Sequence, residues 1–299
     1  MGGSSLDTRH SILDTQSRSM PELVEITCPL CGCDKSQPYH KTEEASFAKC
    51  MDCGLMYRNP RPEDPLSASA AVTDAGVEFF RNKSFRTEKQ SYYKTILKDL
   101  SRYRDTGELL EIGCASGGFL LAARENKWQV SGVEISDAAA RIGRDEYELN
   151  ILTGDIFSAA FEADRFDVAV MNMVVEHLAD PALVLTEVAR ALRPGGVLWL
   201  QTPNYDSITI RRNPEPQFFP PDHYVLFTPS TIRIVLKRAG LAICKFTTSG
   251  YRRTPKLKKT AWSRFIDRLG APFVNLRKLG HRMRIIAERM KEESMKYEV

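Results

Sequence analysis

Four cysteines form two closely spaced pairs near the start of the chain. Two residues separate Cys28 from Cys31, two separate Cys50 from Cys53, and 18 residues lie between the pairs. Paired thiolates on two tight turns can close a tetrahedral shell of four sulfurs around Zn²⁺, and this spacing is a specific zinc pattern. Because all four ligands would come from the protein, the spacing predicts a structural zinc site rather than a catalytic one.

A glycine-rich turn lies between a predicted strand and a predicted helix, in the segment LLEIGCASGGFLLAA. Gly113 can adopt the positive φ that the turn needs, and the small residues after it let the backbone approach a ligand closely. Glu134 ends the next predicted strand, 21 residues after Gly113. A Rossmann-like fold places a carboxylate there to bind ribose hydroxyls. The combination predicts a site for a nucleotide cofactor.

Histidine is the side chain best suited to remove a proton near neutral pH. Among the five histidines, His177 lies in the segment VVEHLADP and His223 in QFFPPDHYVLFTP. Each follows an acid directly, Glu176 or Asp222, although neighbours in sequence rarely face each other. Both histidines and Asp222 are candidate catalytic residues. The alternative role for each histidine is a structural hydrogen bond that fixes a loop.

From Glu108 onward, apolar strand patterns alternate with helical patterns. The nearly continuous apolar segment FDVAVMNM is typical of a parallel strand that helices cover on both faces. Ser136 is a predicted N-cap, and Pro181 suits a first helical turn. The alternation predicts an α/β fold with a Rossmann-like doubly wound sheet. A small N-terminal zinc-binding module would precede this sheet, and a helical C-terminal extension would follow it.

The pattern divides the chain into five segments. We expect a mobile arm over residues 1–20, a zinc-binding module over 21–65, a helical linker or lid over 66–105, a cofactor-binding domain over 106–250 and a basic amphipathic helical tail over 251–299. We find no pattern for a further antiparallel strand after the segment LAICKFTT, and we interpret the residues that follow as helical.

The segments EIGCASGGF, GVEIS, GDIF, FDVAVMNMVVEHLADP and LRPGGVLWLQTPN resemble the successive motifs of class I S-adenosylmethionine (SAM)-dependent methyltransferases. The resemblance covers about half of the chain and implies SAM as the cofactor. It implies cofactor contacts from Glu111, Gly113, Ala115, Gly117, Glu134, Ile135, Asp155, Ile156 and Asn172. Ala115 departs from the glycine that is common in the family. A dinucleotide site is the main alternative, but the chain shows no substrate domain of a dehydrogenase.

The order of a four-cysteine module, the segment GLMYRNPRP and a methyltransferase core resembles sugar C-methyltransferases and related surface-glycan enzymes. That resemblance implies a histidine base after the fifth strand, here His223, with an acid just before it, here Asp222. The tyrosine that the family has shortly upstream is not clearly matched, since phenylalanines occupy the region. The candidate substrate contacts are Tyr92, Tyr93, Tyr205 and Tyr224.

The basic charge of the chain is concentrated at its C-terminal end. Residues 252–299 carry a net charge of +9, whereas the preceding residues carry −5. Apolar residues recur there at helical spacing, first at Trp262, Phe265, Ile266 and Leu269, then at Leu276, Leu279, Met283, Ile286 and Met290. A basic amphipathic helix can lie in a membrane interface, pack in an oligomer or hold RNA. With no predicted membrane span or export signal, we expect a cytoplasmic protein, with peripheral contact at the inner membrane surface through this tail.

The leading hypothesis is a SAM-dependent methyltransferase that acts on a small molecule, a nucleotide- or lipid-linked sugar, with a histidine general base. The first alternative is an RNA methyltransferase that uses the zinc module and the tail to hold RNA, although the near-balanced charge of the module argues against it. The second alternative is a quinone-type O-methyltransferase. A non-enzymatic protein that keeps the fold gains support if neither histidine faces the cofactor.

Overall fold

The computed structural model describes residues 22–75, 77, 83–249 and 278–290. The predicted arm over residues 1–20 lies outside the described residues, as does most of the predicted tail, including the predicted apolar face at Trp262, Phe265, Ile266 and Leu269. A helix long and apolar enough to cross a membrane does not occur in the described part of the chain.

The strands are β1 (Leu23–Val24), β2 (Ser36–Lys41), β3 (Ser46–Cys50), β4 (Met56–Arg58), β5 (Arg61–Pro62), β6 (Glu108–Ile112), β7 (Gln129–Glu134), β8 (Ile151–Thr153), β9 (Phe166–Asn172), β10 (Leu192–Pro203), β11 (Val225–Leu226), β12 (Leu241–Ser249) and β13 (Arg282–Arg289). The α-helices are α1 (Pro65–Ala75), α2 (Lys83–Leu100), α3 (Gly118–Glu125), α4 (Asp137–Tyr147), α5 (Pro181–Ala191), α6 (Ile208–Arg212) and α7 (Pro229–Arg238). Short 3₁₀ turns cover Val175–His177 and Pro216–Phe218.

The central sheet has seven strands in the spatial order β12-β13-β10-β9-β6-β7-β8. Strands β6 to β10 pair in parallel, and β13 pairs antiparallel with both β10 and β12. This confirms the predicted Rossmann-like α/β sheet. Since the carboxyl ends of parallel strands meet at one edge, the turns after β6, β7 and β9 lie side by side there.

The predicted helix starts are confirmed. The Ser136 hydroxyl caps α4 by accepting a hydrogen bond from the Ala139 N–H at 3.0 Å. Pro181 occupies the first turn of α5, behind an Asp180 side chain that accepts from the Leu183 N–H at 2.9 Å. These capping residues set the first residue of α4 and of α5. Both helices therefore begin at the sheet edge where the turns lie.

The helical prediction for the end of the chain is wrong over Arg282–Arg289, which form the strand that completes the sheet. Met283 and Ile285 pack into the hydrophobic cluster on one face of the sheet, and Ile286 packs into the cluster on the other. A strand that lies between two others is buried on both faces, so its apolar residues need not alternate. The helical spacing of Met283 and Ile286 is therefore coincidental, and the sheet extends beyond the predicted domain limit at residue 250.

A second sheet joins the cysteine module to the rest of the protein. Its order is β11-β4-β3-β2, and β11 follows β10 in the chain. Val225 pairs with Tyr57 and Leu226 with Met56. Because β11 completes the sheet of the module, the described residues 22–65 share one hydrophobic core with the segment that carries Asp222.

Candidate functional site

A cavity of about 610 Å³ opens at the carboxyl ends of β6, β7 and β9. Ligand sites in open α/β sheets occupy this position, and the volume is in the range of small-molecule sites. Eight of the nine predicted cofactor residues line the cavity, namely Glu111, Gly113, Ala115, Glu134, Ile135, Asp155, Ile156 and Asn172.

The turn after β6 has the backbone shape that the glycine pattern predicts. Gly113 has a φ of +68°, and a Cβ atom there would lie 2.6 Å from Cγ2 of Val174. Ala115, which departs from the family pattern, also has a positive φ, +48°. Gly117 also has a positive φ, +76°, and a Cβ there would collide with the Leu149 side chain in the core. Its role in the structure is close packing against the core, and it does not line the cavity.

Glu134 lies at the end of β7 with only 4% of its surface exposed. Its carboxylate accepts hydrogen bonds from the Ala115 N–H at 2.8 Å and the Ser136 N–H at 2.9 Å. Burial raises its pKa, and these two N–H groups oppose the rise by favouring the charged form. The bonds fix the carboxylate at the cavity wall, where it can accept further hydrogen bonds from hydroxyl groups of a ligand.

Glu111 is fully buried behind the turn, and its Oε2 has no hydrogen-bond partner among the described residues. Burial, and then the charge of Glu134, raise its pKa well above the ordinary value. The raised pKa favours the neutral acid, the form that can donate a hydrogen bond toward the cavity that it lines.

Asn172 is positioned by a small hydrogen-bond network from α2 and β10. The Tyr92 hydroxyl donates to Oδ1 of Asn172 at 2.8 Å and accepts from Nε2 of Gln201 at 2.7 Å. Burial raises the pKa of Tyr92 to about 12, so this phenol stays protonated. Tyr92 and Tyr93 both line the cavity, as expected for substrate-contact candidates.

His177 and Asp222 form a pair at the cavity wall. Nδ1 of His177 lies 2.9 Å from the main-chain oxygen of Asp222 and 3.4 Å from its carboxylate Oδ2. The acid beside His177 in sequence, Glu176, is instead fully buried, and its Oε2 accepts from the Thr202 hydroxyl at 2.9 Å. His177 thus pairs with Asp222, the acid that directly precedes His223 in the sequence.

His223 does not line the cavity. Its Nδ1 lies 2.5 Å from the Tyr205 hydroxyl, and its ring meets the His177 ring edge-on with centroids 4.6 Å apart. Burial, and then the neighbouring His177, hold the pKa of His223 well below its ordinary value, so the ring is neutral. Tyr205 is buried beside it, and Tyr224 is buried with its hydroxyl donating to the Pro65 carbonyl at 3.3 Å. Neither tyrosine is among the residues that line the cavity.

Three apolar side chains at the cavity were not found from the sequence. Leu66 on α1, Phe157 after β8 and Leu183 on α5 line it while being 47%, 42% and 55% exposed. Periodicity does not mark them, because Leu66 and Leu183 lie on exposed faces of their helices, where polar residues are expected, and Phe157 lies in a turn. An acceptor with an apolar part would cover them.

The four paired cysteines come together on the N-terminal module, with their sulfur atoms within 4.8 Å of one another. The Sγ atoms of Cys28 and Cys53 are 3.5 Å apart, as are those of Cys31 and Cys50. Zinc–sulfur bonds of about 2.3 Å place tetrahedral ligands about 3.8 Å apart, so the group fits Zn²⁺. Gly32 and Gly54, each directly after the second cysteine of its pair, both have a φ of +74°.

Comparison with known proteins identifies the domain. Residues 85–245 match the family described as "Methyltransferase domain". The chain belongs to this family. It is 33% identical to an uncharacterised 37.1 kDa protein in transposon TN4556 of Streptomyces fradiae. The match spans 131 residues, which are 42% of this chain and 38% of that protein. The chain is 33% identical over 141 residues to a "Probable S-adenosylmethionine-dependent methyltransferase" of Mycolicibacterium smegmatis, which covers 47% of this chain and 52% of that protein. It is also 28% identical over 104 residues to a ubiquinone biosynthesis O-methyltransferase of Thiobacillus denitrificans, which covers 32% of this chain and 44% of the relative.

The chain therefore spans about half or less of the length of these curated relatives. A solved methyltransferase, in complex with the Trm112 activator of Haloferax volcanii, has the same fold, with a TM-score of 0.54 and 21% identity over 73% of this chain and 98% of that chain. Family membership confirms the predicted class I methyltransferase domain. This is an enzyme domain that uses SAM.

Proposed function

We propose that this methyltransferase transfers the methyl group of SAM to a small molecule bound in the same cavity. The observation that carries the proposal is that Glu134 and the His177–Asp222 pair line one cavity. A fixed carboxylate for ribose and a candidate base at one site are what methyl transfer requires from the protein.

The cofactor is held, in this proposal, by the residues at the ends of β6 to β9. Glu134 binds the ribose hydroxyls, Asp155 and Ile156 lie beside the adenine, and Glu111 and Gly113 face the methionine part. SAM supplies an electrophilic methyl group on its sulfonium sulfur. The protein must align the acceptor with that methyl group and take up the acceptor proton.

We assign the base to His177. A hydrogen bond from Nδ1–H to the main-chain oxygen of Asp222 would fix the tautomer in which Nε2 carries the lone pair. The nearby Asp222 carboxylate stabilises the ring once it is protonated. His223 then acts as a positioning residue, because its ring packs edge-on against His177 from behind the cavity.

The acceptor class is a nucleotide- or lipid-linked sugar, supported by the order of the cysteine module and the methyltransferase core. The quinone alternative gains support from the exposed apolar side chains at the cavity and from the named activity of the ubiquinone relatives. RNA is disfavoured because Asp155, Asp180 and Asp222 line the cavity, whereas Lys89 is the single Lys or Arg among the described lining residues. An acidic wall repels a polyanion.

Zinc has a structural role in this proposal. Cys28, Cys31, Cys50 and Cys53 hold it and fix the module whose β4 pairs with β11. We further propose that the protein is cytoplasmic and that residues 252–299 give peripheral membrane contact or oligomer packing. Flotation of the protein with anionic liposomes, with and without those residues, tests the membrane contact.

A methyl-transfer assay tests the proposed function. Labelled SAM would be offered with a nucleotide-linked deoxysugar, a polyprenyl-linked sugar, a hydroxyquinol or total RNA. We expect product with one of the small molecules, and a His177→Ala variant that loses about 10²–10⁴-fold in turnover while its affinity for S-adenosylhomocysteine is kept. Full turnover in the variant would remove His177 as the base, and methylation of RNA alone would contradict the acceptor class.

A further inference from the structure

We propose that Glu176, His177 and His223 form a second metal site, for a divalent cation such as Zn²⁺, next to the methyl-transfer cavity. One ligand atom from each of the three side chains lies within 4.8 Å of the other two. Two imidazoles and one carboxylate are a common donor set for catalytic zinc and related first-row ions, with open positions left for substrate.

The carboxylate is available for a ligand. Glu176 is fully buried, and its Oε2 is held by the Thr202 hydroxyl at 2.9 Å. Its other oxygen, Oε1, is buried with no hydrogen-bond partner among the described residues. A buried carboxylate oxygen without a partner is costly, and a cation among the three side chains would remove that cost.

The two imidazoles are held as metal ligands usually are. Metal-bound histidines almost always engage their second ring nitrogen with a carbonyl, carboxylate or similar group. Nδ1 of His177 lies 2.9 Å from the Asp222 main-chain oxygen, and Nδ1 of His223 lies 2.5 Å from the Tyr205 hydroxyl. These contacts orient both rings through Nδ1 and assign Nε2 of each ring as the ligand atom.

The site is placed to act on the acceptor. His177 and Asp222 line the cavity, whereas Glu176 and His223 lie behind it, so the proposed ion would lie at the cavity wall beside His177. A cation there would bind an acceptor hydroxyl oxygen and lower its pKa, and the released proton would pass to the Asp222 carboxylate.

This inference rests on the proposed function, since the acceptor is the molecule that the ion would bind. It gives His177 a different role in the metal-free and in the metal-loaded protein. In the metal-free protein its Nε2 is the base, and in the metal-loaded protein Nε2 is a ligand and the cation replaces the base.

Zinc content of the full chain tests the site independently of activity. The protein would be stripped with a chelator, reloaded with Zn²⁺, dialysed against metal-free buffer and analysed by inductively coupled plasma mass spectrometry. We expect two zinc ions per chain in the wild type, one in the cysteine module and one in the new site. We expect one in Glu176→Gln and one in His223→Ala.

Glu125→Gln, an exposed change on α3 outside the site, is the matched control and should keep both ions. Calorimetry with S-adenosylhomocysteine reports whether each variant keeps its fold and cofactor site. One ion in the wild type, or two ions that persist in both variants, would overturn the proposal while leaving methyl transfer through a free His177 intact. A missing methyl-transfer product with two ions bound would instead count against the proposed function.

Discussion

Replacing Gly113 by alanine tests whether the shape of the turn after β6 creates the cofactor cleft. An L-residue at the observed φ of +68° costs about 1–2 kcal/mol. The new Cβ would also lie 2.6 Å from Cγ2 of Val174, and overpacking of this kind costs about 1–3 kcal/mol. We expect Gly113→Ala to lower the free energy of unfolding by about 2–5 kcal/mol, the sum of both effects.

Two further variants separate the strain from the collision. Gly32→Ala has nearly the same φ, +74°, but no atom within 4 Å of the new Cβ, so it should lose only about 1–2 kcal/mol. Because Val174→Ala also loses packing, the double variant is compared with Val174→Ala alone: in that background Gly113→Ala should cost about 1–2 kcal/mol, against about 2–5 kcal/mol in the wild type, in the same denaturant unfolding assay. A Gly113→Ala loss equal to that of Gly32→Ala, and the same loss in the Val174→Ala background, would refute the reasoning.

Two other changes follow from the site. Burial raises the pKa of Glu111, so the folded protein binds more protons than the unfolded chain above the ordinary carboxyl pKa, and stability falls as pH rises through the folded pKa. Glu111→Gln removes this dependence, and we expect its free energy of unfolding to gain on the wild type as pH rises above the ordinary carboxyl pKa; parallel curves would contradict the assignment. Cys50→Ser removes one thiol of the proposed zinc site and should loosen the β4–β11 pairing that holds the Asp222 loop. We expect this variant to have lower turnover while its Kd for S-adenosylhomocysteine stays within about threefold of wild type. A loss of cofactor binding as large as the loss of turnover would contradict an effect through the Asp222 loop.

The parts of the site that the sequence predicted are local in the chain. The shape of the turn at Gly113 and the spacing of the cysteine pairs depend on a few consecutive residues. Glu134 is placed by the length of one strand–helix–strand unit, because a parallel crossover brings the end of β7 beside the end of β6. Short-range patterns are sufficient for these features.

The pairing of the two histidines could not be predicted in the same way. His177 contacts Asp222, 45 residues away, because β11 docks on the cysteine module and brings the preceding loop to the 3₁₀ turn after β9. Nothing in the sequence between them specifies that docking. The sequence therefore left the acid partner of each histidine open, and tertiary packing buried Glu176 and exposed Asp222 to the cavity.

The last strand was missed for a different reason. Arg282–Arg289 combine apolar and basic residues in an order that fits a helix as well as a strand with two buried faces. Ile285 and Ile286 are adjacent β-branched residues, which favour a strand, and that was the signal available. Its place between β10 and β12 comes from pairing with two strands that both end more than 30 residues earlier in the chain.

Binding of S-adenosylhomocysteine, measured by calorimetry for the wild type and for Glu134→Ala, tests the central claim most directly. If Glu134 binds the ribose hydroxyls, removing its charge-assisted hydrogen bonds should cost about 2–4 kcal/mol, which weakens binding about 30- to 1000-fold. Thermal unfolding would verify that the variant is folded, and Glu125→Ala on the outer face of α3 should bind like the wild type. Absence of binding heat with the wild type, or equal affinity in folded Glu134→Ala, would contradict the account.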